Sequence, residues 1–242
     1  MPAFFLHGVP DTGALWDHVR SHLARTDVLA PSMPGFGTSR PDGFDATKEA
    51  YAEWLEREVE AIGEPVDIVG HDWGSILVQR LVGTRPDLIR TWAVGSGPCD
   101  KQYVWHDMAQ LWQTPDVGEQ VMEGMTPDAI ASFFVDELGA DAATAMASRV
   151  DETMKRSVLS LYRSAITVGA EWEDDVTKGA STRPGLAIWG ANDAYVPTDV
   201  ARRLGERTGA RVVIWDDAAH HWPVSHAERA ARELEQLWNS VA

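Results

Sequence analysis

The sequence is poor in cysteine and in basic residues, and each shortage excludes a class of protein. Cys99 is the single cysteine among 242 residues, so an internal disulfide is excluded and a reducing cytoplasm is the expected location. Lysine and arginine number 21 against 37 acidic residues, which gives a net charge of −16. Such a chain lacks the positive charge that attracts nucleic acid or an anionic membrane surface, so we expect neither partner.

Signal sequences, long apolar runs and cofactor motifs are also missing. The chain starts without the basic segment and long apolar stretch of a secretory signal peptide, and no uninterrupted apolar run could span a membrane. Gly35 and Gly37 lack the third glycine and the helix of a dinucleotide-binding loop. His220, His221 and His226 lack the spacing and the accompanying cysteines or carboxylates of a metal site. We therefore expect no cofactor and no metal.

The sequence does contain a regular alternation of strand-like and helical segments. Thr47 is a suitable N-cap, and apolar residues recur at helical spacing as far as Ile62, so a helix is predicted over 47–62. Further helices are predicted over 15–23, 75–83, 198–207 and 225–238. Strands are predicted over 3–6, 27–30, 66–69, 89–94, 185–189 and 211–215. This order predicts an α/β fold with a mostly parallel sheet and helices on both of its faces.

Residues 98–183 interrupt this alternation. Their pattern is helical, they contain no good strand, and they far exceed the usual length of a connection between neighbouring strands. We interpret them as a helical lid inserted into a core that is formed by residues 1–97 and 184–242. A long ordinary crossover is the alternative interpretation.

The most informative segment is Gly70-His71-Asp72-Trp73-Gly74. It lies between a predicted strand and a predicted helix, with glycine two positions before and two positions after Asp72. This is the spacing of a nucleophile elbow, in which the glycines relieve crowding in a strained turn and the central side chain projects over the end of the sheet. A hydrolase usually has serine at the centre, and a carboxylate there changes the chemistry.

Three further segments follow predicted strands and can reach the same end of the sheet. The backbone N–H groups of Val9, after the first strand, and of Trp73 could form an oxyanion hole. Asp193 follows a later strand, and His220 and His221 follow the last one. A nucleophile, an acid and a histidine in this chain order is the order of α/β-hydrolases.

These segments, together with Pro34-Gly35-Phe36-Gly37 after the second strand, resemble the α/β-hydrolase superfamily. More narrowly they resemble its aspartate-nucleophile branch of epoxide hydrolases and haloalkane dehalogenases, and the resemblance runs through nearly the whole chain. Family members usually carry a strand hairpin before the His-Gly turn, whereas this chain opens almost directly on that strand. We therefore expect this hairpin to be absent, and the uncovered edge makes a homodimer one of the expected states.

The resemblance implies a two-step reaction of a small apolar substrate with water. Asp72 would attack a carbon that bears a leaving group and form an alkyl ester, which a histidine would hydrolyse by activating water. His221 is implied as this base, with His220 as the alternative, because His221-Trp222-Pro223 resembles the Gly-His-Trp turn of the family. Asp193 is implied as the acid that orients the imidazole. Weaker candidates for this acid are Asp199, Asp216 and Asp217.

The leaving group determines which further side chains the reaction needs. Opening an epoxide leaves an alkoxide, so the resemblance implies a lid tyrosine that donates to the ring oxygen. Leu161-Tyr162-Arg163 resembles the Trp-Tyr-Arg segment that carries this tyrosine in epoxide hydrolases. Tyr162 is therefore the candidate donor, and Tyr103 is the other tyrosine of the predicted lid. Half-buried packing is the alternative role for both.

Release of a halide instead requires donors such as indole N–H groups. Trp73 beside the nucleophile is one candidate, although this residue also occurs here in epoxide hydrolases. Val9 occupies the place where many haloalkane dehalogenases have a halide-binding asparagine, which disfavours this activity. We expect substrate and leaving-group contacts from His7, Trp73, Tyr103, Trp105 and Trp112.

The sequence thus predicts a hydrolase that acts on a small apolar electrophile, with an epoxide preferred over a haloalkane. A protein that kept the fold but only binds a small ligand is an alternative from another class, because fold alone does not imply activity. An esterase with an aspartate nucleophile is less favoured, since attack on an acyl ester would give a mixed anhydride.

Overall fold

The structure, a computed structural model, describes residues 1–241 and is built on a parallel sheet. Six strands are hydrogen-bonded in the order β2-β1-β3-β4-β5-β6, and every described pair is parallel. They are β1 (Ala3–Leu6), β2 (Val28–Leu29), β3 (Val66–His71), β4 (Ile89–Gly95), β5 (Gly185–Gly190) and β6 (Arg211–Trp215). The predicted α/β fold class is confirmed.

Twelve α-helices are described within residues 1–241. They are α1 (Asp17–Ser21), α2 (Lys48–Glu60), α3 (Trp73–Thr84), α4 (Asp107–Gln113), α5 (Val117–Gly124), α6 (Pro127–Leu138), α7 (Ala140–Ala147), α8 (Glu152–Ser164), α9 (Val168–Ala180), α10 (Thr198–Thr208), α11 (Trp222–Ser225) and α12 (Ala227–Asn239). None of these helices is long and apolar enough to cross a membrane.

The sheet separates two apolar layers because successive side chains of a strand point to opposite faces. In β1, Phe4 and Leu6 pack into the layer that contains α2, α3 and α9, whereas Phe5 packs with α1 and α12. Helices therefore cover both faces of the sheet, as the alternation of strands and helices predicts.

Local sequence signals explain most of the boundaries between these elements. Thr47 caps α2 by accepting a hydrogen bond from the Ala50 N–H at 3.2 Å, so the predicted helix over 47–62 is confirmed within two residues. The helix predicted over 225–238 is also confirmed within two residues as α12, and the non-helical backbone of His226 separates it from α11. The strand predicted over 27–30 shortens to the two residues of β2.

Six helices, α4 to α9, lie between β4 and β5, and no strand is described in that segment. The last of them, α9, packs against α3 and α10 in the helical layer of the sheet. By contrast, α6 and α7 pack on each other around a small apolar cluster of their own, which includes Ile130 and Phe134. Where a separate lid would begin and end stays a prediction.

The strand order creates a crevice at the carboxyl ends of β1 and β3. The chain passes from β1 to its neighbour β2 on one side, whereas β3 lies on the other side of β1. Connections that leave two adjacent strands in opposite directions leave an opening between them, which is where ligands bind in open α/β sheets. The loops that follow β1 and β3 carry Val9 and Asp72.

Candidate active site

Asp72 lies in the turn that joins β3 to α3. Its backbone has φ 52° and ψ −120°, a conformation that is costly for a residue with a side chain and that the surrounding structure must enforce. A Cβ at Gly74 would lie 2.2 Å from the Leu6 carbonyl oxygen, so glycine is needed for the turn to approach β1. The turn therefore has the geometry that the glycine spacing predicts.

The Asp72 carboxylate is bound by the two backbone N–H groups that were predicted to form an oxyanion hole. Its Oδ1 accepts a hydrogen bond from the Val9 N–H at 2.8 Å, and the Trp73 N–H is a second donor. A Cβ at Gly8 would lie 2.5 Å from Oδ1, so this position also requires glycine. Burial raises the pKa of the Asp72 carboxyl, against the opposing effects of His220 and these two donors. Oδ1 is thus fixed, and Oδ2 is the oxygen that faces His220.

His220, and not His221, lies between the two carboxylates. Its Nδ1 is 3.0 Å from Asp193 Oδ2, and its Nε2 is 3.7 Å from Asp72 Oδ2. Burial lowers the pKa of His220, but the carboxylates of Asp193, Asp72 and Glu137 outweigh this effect and raise the pKa to about 9. His71, which is fully buried, places its Nε2 2.8 Å from the His220 carbonyl oxygen and so fixes the turn that carries this histidine.

The assignment of His221 as the base is wrong on this geometry. The His221 ring turns away from Asp193, and its Nδ1 lies 3.0 Å from Oε2 of Glu137 in α6. Its backbone N–H donates to the other oxygen of Glu137 at 2.5 Å. The cause is the turn itself: His221 immediately precedes α11, so adjacent side chains diverge and only His220 faces Asp72. The alternative considered from the sequence, His220, takes the position of the base.

Asp193 is held in the loop after β5 by more than the histidine. Its Oδ1 accepts hydrogen bonds from the backbone N–H groups of Tyr195 and Val196, both at 2.9 Å. Burial raises the pKa of Asp193, but His220 and these donors lower it to about 2, so the carboxylate is charged at neutral pH. The weaker candidates for the acid, Asp199, Asp216 and Asp217, are all exposed.

A cavity of about 200 Å³ lies over Asp72, between the carboxyl ends of the strands and helices α4, α5, α6 and α8. Asp72, His220 and Tyr162 line it, and the rest of its wall is mostly apolar, with Met108, Ile130 and Phe134 among its members. Among the described residues that line it, none is lysine or arginine. The cavity therefore suits a small uncharged molecule.

Tyr162 of α8 projects into this cavity next to the nucleophile turn. Its ring packs edge-on against Trp73, with centroids 5.3 Å apart, and against Trp112 at 4.9 Å. Burial and the Asp72 carboxylate raise the pKa of the Tyr162 hydroxyl well above its ordinary value. The hydroxyl therefore keeps its proton and remains a donor at neutral pH.

With this geometry established, comparison with known proteins identifies the family. Residues 3–233 match the Alpha/beta hydrolase family, which is nearly the whole chain. The chain belongs to this family. The order of Asp72, Asp193 and His220 along the chain, each after a strand of a parallel sheet, is consistent with that membership.

Three similar proteins illustrate the range of this family. The chain is 23% identical to the AB hydrolase superfamily protein YfhM of Bacillus subtilis, over 93% of this chain and 85% of YfhM. It is 32% identical to the lipase LipV of Mycobacterium tuberculosis, but over only 35% of this chain and 32% of that lipase. The solved haloalkane dehalogenase DbeA of Bradyrhizobium elkani superposes with a TM-score of 0.78 at 20% identity, over 99% of this chain and 91% of DbeA. The last likeness shows the fold alone.

Four of the five side chains predicted to contact substrate do not line the cavity of this alpha/beta hydrolase, and only Trp112 does. His7 is fully buried, where its Nε2 accepts from the Met33 N–H at 2.9 Å. Tyr103 donates its hydroxyl to the Tyr195 carbonyl, and Trp105 donates its indole N–H to the Ala165 carbonyl, each at 3.1 Å. The fourth, Trp73, is buried against Tyr162. Of these four, Trp73 and Trp105 pack against the ring of Tyr162, which lines the cavity.

Three polar residues in or beside the cavity were missed by the sequence analysis. Tyr195 and His106 line the cavity, and Glu137 reaches His221 from α6. Tyr195 stands two residues after Asp193, so its closeness to the active-site acid was available as a signal. For His106 and Glu137 no local pattern marks the position, because packing of distant helices places them.

Metal binding has no support from the arrangement of possible ligands. Within residues 1–241, no three histidine, cysteine, aspartate or glutamate side chains are grouped so that they could hold a metal ion. The expected lack of a metal and of a cofactor stays a prediction.

Proposed function

We propose that this alpha/beta hydrolase opens a small uncharged epoxide to a diol through an ester on Asp72. The single observation that supports this most directly is one cavity in which the Asp72 carboxylate, the His220 imidazole and the Tyr162 hydroxyl meet. These groups are a nucleophile, a base and an acid, which are the three functions that two-step epoxide hydrolysis requires. The described cavity wall contains no lysine or arginine, and its His220 faces the carboxylates of Asp193 and Asp72, which favours a neutral substrate over a carboxylate-bearing one.

In the first step, Oδ2 of Asp72 attacks a ring carbon of the epoxide and the carbon–oxygen bond breaks. The electron pair of that bond goes to the ring oxygen, which takes a proton from the Tyr162 hydroxyl as it leaves. Oδ1 becomes the ester carbonyl oxygen and keeps its hydrogen bond from the Val9 N–H. The nucleophile is therefore already oriented before the substrate arrives, which reduces the reorganisation needed in the transition state.

In the second step, neutral His220 takes a proton from water, and the resulting hydroxide attacks Cγ of the Asp72 ester. The negative charge develops on Oδ1, where the Val9 and Trp73 N–H groups stabilise it. Collapse breaks the bond between Cγ and the alkyl oxygen, and that oxygen takes the proton of the added hydroxyl, so the diol leaves and the carboxylate is restored. The proton on His220 replaces the one that Tyr162 gave, so the cycle consumes one epoxide and one water. Asp193 orients the imidazole and stabilises its cation.

Trapping the ester tests this function and the choice of histidine together. His220→Gln should form the ester but hydrolyse it very slowly, so incubation with styrene oxide should add the mass of the intact epoxide at Asp72. His221→Gln is the matched variant, and it should still complete turnover without accumulating an ester. Intact mass spectrometry followed by peptide mapping measures both. Absence of an adduct from a panel of epoxides in His220→Gln would contradict the proposal.

A haloalkane substrate is the second candidate, because the indole nitrogens of Trp73 and Trp112 are buried without a hydrogen-bond partner within residues 1–241. Such N–H groups could stabilise a leaving halide. Neither nitrogen has accessible surface, however, and the Tyr162 ring packs against both indoles. Bromide release from bromoalkanes, measured beside diol formation, separates the two activities. Tight binding of an apolar ligand that is unchanged in Asp72→Asn, without turnover, would instead indicate a ligand-binding protein.

A further inference from the structure

His106 stands at the start of helix α4, and its ring is fixed there by the helix itself. Its Nδ1 accepts a hydrogen bond from the Ala109 N–H at 3.2 Å, so the imidazole acts as the N-cap of α4. An imidazole nitrogen that accepts a hydrogen bond carries no proton. In the neutral ring the proton therefore lies on the other nitrogen, Nε2.

The ring of His106 is uncharged at neutral pH. Burial has the largest effect on its pKa, and the charge of His220 acts in the same direction, against smaller opposing effects of Asp193 and Asp107. The pKa of His106 is thereby lowered to about 4. His106 consequently offers an N–H group without a positive charge.

His106 lines the active-site cavity at a distance of one ring from the reacting groups. Its ring packs edge-on against Tyr195, with centroids 5.1 Å apart, and Tyr195 packs in turn against His220 at 4.8 Å. Trp112 contacts both His106 and Tyr162, with ring centroids 6.4 and 4.9 Å apart. A ligand atom that binds His106 therefore lies beyond the epoxide ring, on its substituent.

The Nε2 N–H of His106 has no hydrogen-bond partner within residues 1–241, where only the Nδ1 of this ring is bonded. The residue is half-buried, and the cavity wall around it is mostly apolar, with Met108 and Met125 among its members. In an apolar cavity a single fixed polar group determines which ligand binds and in which orientation, because leaving that group unpaired costs free energy.

We propose that the Nε2 N–H of His106 binds an uncharged oxygen atom on the substituent of the epoxide, so that the protein selects epoxides with an ether or carbonyl oxygen over hydrocarbon epoxides. This inference rests on the proposed epoxide-opening function and names the substrate class of the same site. A carboxylate is disfavoured as the acceptor, because His106 is neutral and the described cavity wall contains no lysine or arginine.

The test uses two pairs of small epoxides in which an ether oxygen replaces a methylene group. Glycidyl methyl ether is paired with propyloxirane, and methoxyethyl oxirane is paired with butyloxirane. Diol formation gives kcat/KM for each epoxide, and the ratio of the ether to the hydrocarbon is compared between variants. In His106→Phe this ratio should fall by about 3- to 10-fold for at least one pair, which is the contribution of one neutral hydrogen bond.

Two substitutions of His106 separate its N–H donor from its role as a helix cap. His106→Phe keeps an aromatic ring but loses both the cap and the donor, whereas serine in His106→Ser is a good cap for α4 and lacks the ring donor. The preference for the ether should be lost in both. His18→Phe, at an exposed histidine of α1, is the control and should keep the parent ratio. Loss of the preference in His106→Phe alone would assign the effect to the cap and overturn the inference.

The remaining outcomes separate this inference from the proposed function. If His220→Gln forms no ester with any epoxide, the function fails and the role of His106 fails with it. If the epoxides are turned over but the ratio stays the same in His106→Phe, only the role of His106 fails. Equal slowing of both members of each pair would place His106 at the leaving oxygen or in the packing of the wall, and it would also overturn the inference.

Discussion

The two nitrogen atoms of His220 face two carboxylates that behave differently in the proposed reaction. Asp193 stays charged throughout the proposed cycle, whereas Asp72 loses its charge when it becomes an ester. The charges of Asp193, Asp72 and Glu137 all raise the pKa of His220, and alkylation of Asp72 removes one of these charges. The imidazole should therefore become a proton acceptor at the stage when a base is needed.

This change gives a prediction for the pH dependence of ester hydrolysis. In the free protein the pKa of His220 is about 9, after burial, which lowers it, is outweighed by Asp193 and Asp72. In the ester the pKa should be lower, and since only neutral imidazole acts as the base, the rate should rise with pH and level off below pH 9. Single-turnover decay of the ester as a function of pH measures this. A rate that still rises steeply through pH 9 would contradict it.

Among the structural elements, the hairpin of α6 and α7 packs mainly on itself. It packs around its own cluster, and its side chains Ile130 and Phe134 form one wall of the cavity. Glu137 is its polar contact with the active-site turn, through the His221 N–H and imidazole. Elements with few buried contacts to the rest of a fold open most easily, so this hairpin is the expected moving part of the cavity.

Removing the Glu137 contact should weaken substrate binding more than it weakens the chemistry. Glu137→Ala deletes a charge-assisted hydrogen bond of about 1.5–3 kcal/mol, which should favour the open hairpin and raise KM by roughly 10-fold. kcat should fall less, because His220 keeps its contacts with Asp193 and Asp72. Asp136→Ala, an exposed change on the same helix, is the matched control for steady-state kinetics. Equal effects of the two substitutions would argue against a closing role for Glu137.

The edge strand β2 bears on the predicted homodimer. It has only two residues, so it offers few free backbone groups to a partner strand, although Leu29 is 45% exposed. The homodimer therefore stays a prediction, and the short edge strand β2 gives it little support.

Across the whole molecule, the end of the sheet opposite the cavity is held by a buried charge cluster. Asp67 in β3 is fully buried and binds Arg25 and Arg90, each at 2.8 Å, and the Thr91 hydroxyl at 2.7 Å. These partners come from the segment before β2 and from β4, so one carboxylate joins three parts of the sheet. Removing one charged partner of such a cluster leaves the remaining buried charges unpaired, which is strongly destabilising.

Asp67→Ala should therefore destabilise the fold without altering the active-site chemistry. We expect a loss of about 3–5 kcal/mol in the free energy of unfolding, since two poorly exposed guanidinium groups would lose their buried partner. Asp27→Ala is the control: this side chain also binds Arg25 but is 51% exposed, and its loss should be less than about 1 kcal/mol. Urea unfolding measures both. Similar losses for the two variants would contradict the importance of the cluster.

Much of the fold and part of the site were predictable because their signals are local. The glycines around Asp72 indicate a strained turn independently of the rest of the fold. Thr47 indicates the start of α2 because its side chain accepts a hydrogen bond from a backbone N–H three residues later. The alternation of strands and helices predicts the parallel sheet, since parallel neighbours need crossover connections. These features depend on backbone geometry within a few residues.

The choice between adjacent histidines and the lining of the cavity required the tertiary structure. His220 and His221 share almost the same sequence context. The start of α11 and the position of Glu137 determine that the His220 ring contacts Asp193 and the His221 ring contacts α6. Tyr103 was predicted to contact substrate, but its hydroxyl donates to the Tyr195 carbonyl, and Tyr195 lines the cavity instead. The sequence by itself determined the α/β fold and the sharp turn that carries Asp72, the proposed nucleophile. The packing of distant segments, which no local pattern records, decided which side chains face the substrate.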